Sequence, residues 1–409
     1  MRKIIWPVLM TIALFASACA TALPVPAVPA GATQAPSTET PGAARSPAVA
    51  APVRTLLPAE TPPGGAAREF KTDFNRHTVP YGEILSGGPP KNSIPAIDSP
   101  KFVTVTEAKD WLKDVEPVIL VQVGGDARAY PLQILMWHEI VNDSVGGVPL
   151  TVTFCPLCNT AIAFERTLDG RVLDFGTSGR LRFSNLIMYD RQTESWWQQA
   201  GGDAIAGELA GRQLAFYPAA IISWAEFREA HPDGKVLSRE TGYTRDYGSN
   251  PYVGYDDVNR PPFLYQGPPT PGKLPPMARV LTVDLSGETV AYPYDVLAKV
   301  RVVNDVVGGQ PVAVFWAGGT ASALDSSAIA SGRDIGSAVV FSPELDGRQL
   351  TFHTAGERIT DAETGSEWDI LGRAVKGELA GRQLAPIVSV NHFWFSWAAF
   401  KPETRIYQP

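Results

Sequence analysis

Short apolar runs rich in β-branched residues, separated by Gly, Asn and Asp turns, occupy most of the chain after residue 70. Val118 to Val123 is predicted to be a strand, Gly124 to Asp126 a turn, and Arg128 to Pro131 a second strand. Helix start signals are rarer, and they predict helices at Pro131 to Trp137 and at Ser223 to Ala230. Helices do not alternate with strands as a doubly wound sheet requires, so the pattern predicts a β-rich α+β fold.

The same ordered series of motifs occurs twice along the chain. The run G-E-L-A-G-R-Q-L at 207–214 recurs unchanged at 377–384. Eight identical residues in a run, inside an ordered series, indicate an internal duplication. We therefore expect two tandem duplicated halves that pack together. The other matches are Ala129-Tyr130-Pro131 with Ala291-Tyr292-Pro293, Val141-Asn142-Asp143 with Val303-Asn304-Asp305, Asp190, Thr193, Ser195 and Trp197 with Asp361, Thr364, Ser366 and Trp368, and Trp224-Ala225 with Trp397-Ala398.

The duplication and the composition divide the chain into five predicted segments. Residues 68–245 form the first half and residues 277–409 the second, degenerate half. Between them, residues 246–276 are too long for a simple turn, and their tyrosines favour an ordered connecting loop. Residues 20–67 are rich in Pro, Ala and Thr and almost without aromatic side chains, so they are predicted to be a disordered tether. The fifth segment, residues 1–19, is a targeting sequence.

An export signal is predicted at the N-terminus. Arg2 and Lys3 precede an apolar run from Ile4 to Ala18 that is too short and too interrupted to be a good membrane span. Small residues before Cys19 resemble a bacterial lipobox, although Leu is usual at the position of Ala16. We expect a cleaved signal peptide, lipidation of Cys19, and anchoring of the protein to a membrane at the cell surface or in the periplasm. An ordinary secretory signal with cleavage nearby is the alternative.

Length and charge limit the possible partners only slightly. The chain has 409 residues, 44% of them hydrophobic, which is enough for a sizeable core or for two packed halves. Its formal net charge is −7, so there is no basic surplus to meet phosphate groups. Nucleic acid is therefore not an expected partner.

The candidate chemistry lies where the apolar run from Thr151 to Phe154 ends at Cys155-Pro156-Leu157-Cys158. A strand that ends in a C-x-x-C turn places two thiols on one side of a tight loop. These are the only cysteines apart from Cys19, which the export signal explains. The sequence therefore locates a site at this turn more firmly than it identifies a reaction.

Comparison of the two halves singles out the same stretch. They align without gaps from Tyr130 to Thr160, and the second half keeps the turn and packing residues of the first. Side chains that occur together in only one half are candidates for a shared site. The second half replaces four reactive side chains, His138 by Val300, Glu139 by Arg301, Cys155 by Ala317 and Cys158 by Thr320.

The leading hypothesis is a transition-metal site. Thiolates and imidazole suit zinc or copper, and Cys155, Cys158 and His138 would supply three ligands. Glu139 would be a further ligand, a partner of a ligand, or a catalytic general base. Further candidate ligands are Met188, His353 and His392.

Two other functions fit the same residues. In a thiol–disulfide oxidoreductase, Cys155 would be the exposed nucleophile with a lowered pKa and Cys158 the resolving thiol. The βαβ context of thioredoxin-like proteins is not evident in this sequence. In a non-catalytic surface module, the loop from Tyr243 to Pro276 would bind a partner or a glycan, and the thiols would be inert. The sequence leaves open whether the protein is an enzyme.

Other conspicuous residues are predicted to be structural. Asp190 with Thr193 and Ser195 is typical of a turn in which a carboxylate accepts local hydrogen bonds. Trp197 has a counterpart in Trp368, so it is predicted to lie in the core.

Several longer motifs together are specific. They are G-G-P-P-K-N-S-I-P from Gly87, A-Y-P-L-Q-I-L-M-W-H-E-I-V-N-D from Ala129, T-F-C-P-L-C-N-T from Thr153, M-Y-D-R-Q-T-E-S-W-W from Met188, and R-D-Y-G-S-N-P-Y from Arg245. In these motifs the chain resembles the domain-of-unknown-function family 3179, over most of its length after the tether. The resemblance implies an exported microbial protein and no established activity. Asn159 is a departure, since Gly is often found in the family after the second cysteine, and we expect it to leave the thiols unaffected.

Overall fold

A computed structural model describes residues 54–409 of the chain. In the first part of this range, up to residue 243, β-strands outnumber helices fourfold. The helices are α1 (Ala66–Glu69), α2 (Val105–Ala108), α3 (Leu132–His138) and α4 (Trp224–Ala230), with 3₁₀ turns at Tyr81–Glu83 and Pro156–Cys158. The strands are β1 (Ile84–Ser86), β2 (Phe102–Thr104), β3 (Pro117–Val123), β4 (Asp126–Pro131), β5 (Ile140–Val145), β6 (Val148–Cys155), β7 (Thr160–Glu165), β8 (Thr167–Leu168), β9 (Arg171–Val172), β10 (Phe175–Arg182), β11 (Asn185–Asp190), β12 (Trp196–Gln198), β13 (Asp203–Ala206), β14 (Ala215–Tyr217), β15 (Ala220–Ser223) and β16 (Lys235–Leu237).

The part of the chain from residue 277 onward is built in the same way. Its helices are α5 (Tyr294–Val300) and α6 (Trp394–Ala398), with a 3₁₀ turn at Ile329–Ser331. Its strands are β17 (Arg279–Leu285), β18 (Glu288–Pro293), β19 (Val302–Val307), β20 (Gln310–Ala317), β21 (Ser337–Phe341), β22 (Glu344–Leu345), β23 (Arg348–Gln349), β24 (Phe352–Ala355), β25 (Arg358–Asp361), β26 (Glu367–Trp368), β27 (Ala374–Lys376), β28 (Val390–Phe393) and β29 (Arg405–Ile406).

The strands form small, mainly antiparallel sheets. In the first part the strand orders are β1-β10-β11-β12-β13, β14-β7-β6-β5 and β15-β3-β4-β16-β2, with β8-β9 as a separate hairpin. In the second part they are β28-β17-β18-β29, β19-β20-β21 and β24-β25-β26-β27, with β22-β23 as a hairpin. Among these strands, only β16 with β4 and β29 with β18 pair in parallel. The prediction of a β-rich α+β fold is therefore confirmed.

The two predicted helices form within one residue of their predicted bounds. Pro131 precedes α3 with φ −60°, a value that its ring fixes, and the helix follows directly. Ser223 caps α4, since its hydroxyl accepts from the amide of Glu226 while the Glu226 carboxylate accepts from the amide of Ser223. The fixed φ of proline thus favours the start of α3, and a capping box sets the start of α4.

The two parts repeat one arrangement of elements. Every bound of β17, β18, α5, β19 and β20 lies 162 positions after its counterpart in β3, β4, α3, β5 and β6. The side-chain bonds repeat as well: the Tyr130 hydroxyl donates to Asp143 at 2.6 Å, and the Tyr292 hydroxyl donates to Asp305 at 2.9 Å. The register inferred from the sequence is therefore found in the structure over residues 117–155 and 279–317.

The two parts also share core. One cluster of buried side chains joins Trp224 and Phe227 of the first part to Phe315 and Phe341 of the second. Another cluster holds both cysteines with residues of both parts, including Phe393. Burial of this apolar surface stabilises the contact between the parts.

The fold begins earlier than predicted. Arg54 pairs with Asp203 at 2.7 Å, the amide of Leu57 donates to the carbonyl oxygen of His77 at 2.8 Å, and Ala66 is fully buried. Residues 54–67, which composition assigned to the tether, therefore lie against the domain. Average composition does not predict individual contacts such as these. The signal peptide, Cys19 and the rest of the tether lie outside the described residues. Within 54–409, no helix is long and apolar enough to cross a membrane.

Candidate functional site

The C-x-x-C turn lies where an inner strand of its sheet ends. Cys155 is the last residue of β6 and faces Thr160 at the start of β7. One turn of 3₁₀-helix over Pro156–Cys158 joins them, and Asn159 completes the turn in the left-handed region at φ 52°. Asn adopts this conformation more easily than most residues other than Gly. The turn therefore has the geometry that Gly would supply, and Asn159 leaves the thiols in place.

Both thiols are free and buried. Cys155 is 2% exposed and Cys158 is 0% exposed. Their sulfur atoms converge on the carbonyl oxygen of Ser184, at 3.8 Å from Cys155 and 3.4 Å from Cys158. Burial raises the pKa of Cys155 well above its usual value, and its hydrogen bond with Cys158 raises it further. The prediction of an exposed Cys155 with a lowered pKa is wrong, because the turn is packed inside the core.

Glu139 is the carboxyl group beside the thiols. It ends α3 in the left-handed region at φ 57°, and its carbonyl oxygen accepts from the amide of Phe154 at 2.8 Å, which ties it to the end of β6. Burial raises the pKa of the Glu139 carboxyl to about 8. Its charge in turn raises the pKa of Cys155. Arg301 has the same left-handed conformation at φ 60°, so the fold itself demands this turn.

His138 lies away from the thiols. Its Nδ1 is 2.6 Å from the carbonyl oxygen of Pro95, and its Nε2 is 2.6 Å from the hydroxyl of Tyr247. A carbonyl can only accept, so Nδ1 carries the hydrogen and Nε2 accepts from Tyr247. Burial lowers the pKa of His138, which keeps the ring neutral. Both ring nitrogens have protein partners, and within residues 54–409 no three His, Cys, Asp or Glu side chains gather as metal ligands do.

The further candidate ligands do not complete a group of three either. Met188 is a buried core residue on β11. His353 lies on the exposed β24 and bonds Thr360. His392 comes nearest, since its Nδ1 is 2.9 Å from the hydroxyl oxygen of Thr160, which itself donates to the carbonyl oxygen of Cys158. Burial lowers the pKa of His392 to about 3, and its Nε2 has no hydrogen-bond partner among the described residues.

A tyrosine-rich loop covers the dithiol. The hydroxyl of Tyr255 donates to the carbonyl oxygen of Leu157, inside the C-x-x-C turn, at 3.0 Å. Burial raises the pKa of both Tyr252 and Tyr255, and the charges of the thiols contribute to both shifts. The Ser184 hydroxyl also donates to the carbonyl oxygen of Phe263 in the same loop. The loop therefore contacts the turn and the carbonyl on which the sulfur atoms converge.

The second half holds this loop in place. Asp256 is fully buried and pairs with Arg279 at 2.6 Å and with Arg333 at 2.8 Å. Main-chain bonds add to this anchor: the amide of Gly254 donates to the carbonyl oxygen of Asp325 at 2.7 Å, and that of Tyr255 donates to Leu324 at 3.0 Å. The dithiol of the first half is thus closed by a loop that the second half secures.

The sequence located part of this site and missed the rest. In the structure Cys155 interacts with Cys158 and with the charge of Glu139, whereas His138, which the sequence grouped with them, bonds Pro95 and Tyr247. The cover was missed, although the density of tyrosines in the loop was a usable signal. Nothing in the sequence around Ser184 indicated its contact with the sulfur atoms.

Comparison with known proteins places the whole arrangement in one family. The family model described as "Protein of unknown function (DUF3179)" matches residues 91–404, a range that includes the dithiol, the loop and both parts of the fold. No curated protein and no solved structure matches the chain. Since the family model covers most of the chain, the protein belongs to the DUF3179 family.

Proposed function

We propose that the protein is an exported thiol–disulfide oxidoreductase. Its redox couple is the Cys155 and Cys158 pair, and Glu139 is the proton acceptor. One observation supports this most: two buried thiols contact each other beside a carboxyl group whose pKa is about 8. The raised pKa makes the Glu139 carboxylate a stronger base than an ordinary carboxylate, which lowers the cost of taking a thiol proton.

The proposed reaction exchanges two electrons with a disulfide of a substrate protein. The Glu139 carboxylate takes the proton of Cys155, and the Cys155 thiolate attacks one sulfur of the substrate disulfide. The other substrate sulfur leaves as a thiolate and is protonated. Cys158 loses its proton and attacks Cys155, which releases the second substrate thiol and leaves a Cys155–Cys158 disulfide. The substrate is reduced and the protein is oxidised.

Burial and position support the division of roles between the thiols. Cys155 is at the edge of the turn, 2% exposed, and it feels the charge of Glu139. Cys158 is fully buried, as suits a resolving thiol that meets only its neighbour. Because both thiols are covered, the exchange requires the loop at Tyr255 to open. The raised pKa of Cys155 supports a protein that is unreactive while the cover is closed.

The metal hypothesis remains a prediction, with fewer donors than the sequence suggested. Cys155 and Cys158 fit a soft ion, but the nitrogens of His138 are both bonded to protein atoms. Zinc sites have three or four protein ligands, so Glu139 or another group would have to join the two thiols to complete one. Elemental analysis of the purified chain tests the hypothesis: zinc or copper in stoichiometric amount, lost in Cys155→Ser, would support it over the redox function.

The location and the second half complete the proposal. Disulfide chemistry belongs to oxidising compartments, which agrees with the predicted signal peptide and with a lipid anchor at Cys19. We infer that the second half is a duplicated copy without the thiols, which now secures the cover. The constant offset of 162 positions between matching elements supports this inference.

Trapping the mixed disulfide tests the proposed function. The mature chain is incubated with oxidised glutathione, after loop opening in mild urea, and its mass is measured under non-reducing conditions. In Cys158→Ser, Cys155 retains one glutathione moiety, because no resolving thiol releases it. The wild type instead loses two hydrogens and carries no adduct. Absence of any adduct in Cys158→Ser, with an intact fold, would rule out Cys155 as the nucleophile.

A further inference from the structure

The second half has an open sheet edge where the first half has a covered one. Along β5, the amide of Ile97 donates to the carbonyl oxygen of Ile140 at 2.9 Å, and that of Asn142 donates to Ile97 at 2.8 Å. The matching strand β19 is the edge of its sheet, and within residues 54–409 no second main-chain segment pairs with it. The guanidinium of Arg405 donates to the carbonyl oxygen of Val306 at 3.1 Å, which leaves the groups of Val302 and Asn304 open. Open edges are the sites where extended peptides add as strands.

A cavity of about 320 Å³ adjoins this edge. In the first half, the guanidinium of Arg166 fills the matching place, where it donates to the carbonyl oxygens of Asp143 at 3.2 Å and Leu173 at 3.1 Å. It also pairs with the carboxylate of Asp174 at 2.7 Å. In the second half a proline stands at this position. The cavity is lined by Asn304, Asp305, Val312, Pro343, Leu350 and Thr351, among others.

Matched main-chain bonds establish that Pro343 replaces Arg166. The amide of Leu173 donates to the carbonyl oxygen of Arg166 at 2.8 Å, and the amide of Leu350 donates to that of Pro343 at 2.9 Å. The carbonyl groups of Asp305 and Leu350 therefore correspond to the two that accept from the guanidinium in the first half. This second-half cavity has the acceptors of an arginine site without the arginine.

A second arginine is replaced at the same place. In the first half Arg191 pairs with Asp98, which follows Ile97 in the segment that covers β5, residues 93–100. The amide of Arg191 donates to the carbonyl oxygen of Asp174, and the amide of Ala362 donates to that of Thr351, so Ala362 is its counterpart. Next to it, the exposed Glu363 accepts from the amide of Thr351 at 2.8 Å and adds a negative charge. The carboxylate of Asp305, which lines the cavity, is paired with Arg405 at 3.1 Å. The end of an added strand would therefore lie beside the negative charge of Glu363.

We propose that the second half binds an extended segment of a partner protein. The segment adds as a parallel strand along β19, with main-chain hydrogen bonds to the carbonyl oxygen of Val302 and the amide of Asn304. An arginine near its C-terminal end enters the cavity and donates to the carbonyl groups of Asp305 and Leu350. Glu363 attracts the positive charge. This interaction does not depend on the dithiol.

A labelled peptide tests the proposal on the full chain. The probe copies the covering segment, residues 93–100, with arginine in place of Asp98, and its binding is followed by fluorescence anisotropy. A matched peptide retains aspartate. We expect the arginine peptide to bind about tenfold more tightly than the aspartate peptide. Pro343→Arg, which fills the cavity from within, abolishes binding, and Glu363→Lys weakens it about tenfold.

Matched variants separate the proposed site from general effects. Glu208→Lys makes the same charge change on an exposed site of the first half and leaves binding unchanged. Cys155→Ser also binds as the wild type does. Equal binding of the two peptides, or unchanged binding in Glu363→Lys, overturns the proposal. A concentration-dependent dimer that Pro343→Arg dissociates would also overturn it, because the occupant would then be a second copy of the chain.

Discussion

The hydroxyl of Tyr255 donates a hydrogen bond to the carbonyl oxygen of Leu157, at 3.0 Å, and so fastens the tyrosine-rich loop to the turn between the two cysteines. The same hydroxyl accepts from the amide of Phe263 at 3.2 Å. The hydroxyl of Tyr255 thus links the C-x-x-C turn to the stretch of the loop around Phe263. Access to the dithiol is governed by contacts of this kind, since both thiols are buried in the closed structure.

Tyr255→Phe should expose the thiols more often. A buried hydrogen bond contributes about 1 kcal/mol, so its loss raises the open fraction of the loop about fivefold. The rate of cysteine alkylation by a maleimide, at fixed pH and under native conditions, measures this opening. Tyr265→Phe is the matched control, because that hydroxyl bonds Pro268 and Thr270, which belong to the same loop and not to the turn. Equal alkylation rates in the wild type and Tyr255→Phe would show that this bond does not hold the cover.

The buried Glu139 carboxyl should make stability fall as pH rises. Its pKa is about 8 in the folded protein against 4.5 for an exposed glutamate, so between these pH values the folded state holds a proton that the unfolded state has released. Stability from this group is fully present below the unfolded pKa and is lost up to the folded pKa, by up to about 5 kcal/mol. Urea unfolding at several pH values measures the slope.

Glu139→Gln should remove most of that slope, because the amide does not titrate. Glu165→Gln, a half-buried site on β7, serves as the control and should keep it. If Glu139→Gln retained the full pH dependence, the buried carboxyl would not be its source.

Glu139 should also shape the rate of disulfide exchange. Only the ionised carboxylate takes the proton of Cys155, so the rate constant with a small disulfide should rise with pH to a shoulder near the Glu139 pKa of about 8. In Glu139→Gln the shoulder disappears, and the rate constant rises only with the ionisation of the Cys155 thiol. Stopped-flow measurement over the pH range gives both profiles. If the pH–rate profiles of the wild type and Glu139→Gln coincided, Glu139 would take no part in the reaction and its role would be structural.

The two matching Asp–Trp turns should contribute equally to the stability of the protein. Neither should affect the redox equilibrium of the dithiol. The indole of Trp197 donates to Asp190 at 2.9 Å, and that of Trp368 donates to Asp361 at 2.9 Å. Asp190→Ala and Asp361→Ala each leave a buried indole unpaired, which costs about 1–3 kcal/mol. Thermal unfolding measures the loss in each variant. A change in the redox equilibrium of the dithiol in either variant would contradict a purely structural role.

Local and internal patterns predicted much of the fold. The strand before Cys155, the helix after Pro131 and the register between Tyr130 and Tyr292 all follow from alternation, capping and repetition along the chain. Contacts between distant segments do not follow from them. Arg54 is an example, since composition alone assigned it to the tether and its bond to Asp203 fixes it to the domain.

The sequence also failed to predict the directions of two adjacent side chains at the candidate site. His138 and Glu139 are adjacent, and both are missing from the second half, so the sequence grouped them. The left-handed turn at Glu139 sends its carboxyl toward Cys155 and leaves His138 facing Pro95. A helix end of this kind redirects consecutive side chains, and the sequence contains no signal for that direction.

The redox equilibrium of the dithiol tests the central claim most directly. The mature chain is equilibrated in thiol–disulfide buffers of defined potential, quenched in acid and alkylated, and the number of free thiols is read by mass. The account predicts a single two-electron transition that involves Cys155 and Cys158, at a potential between about −270 and −120 mV, as in known oxidoreductases. Two results would contradict it. The pair could stay fully reduced in every buffer, or it could form a disulfide whose reduction potential lies below about −300 mV, as is typical of structural disulfides.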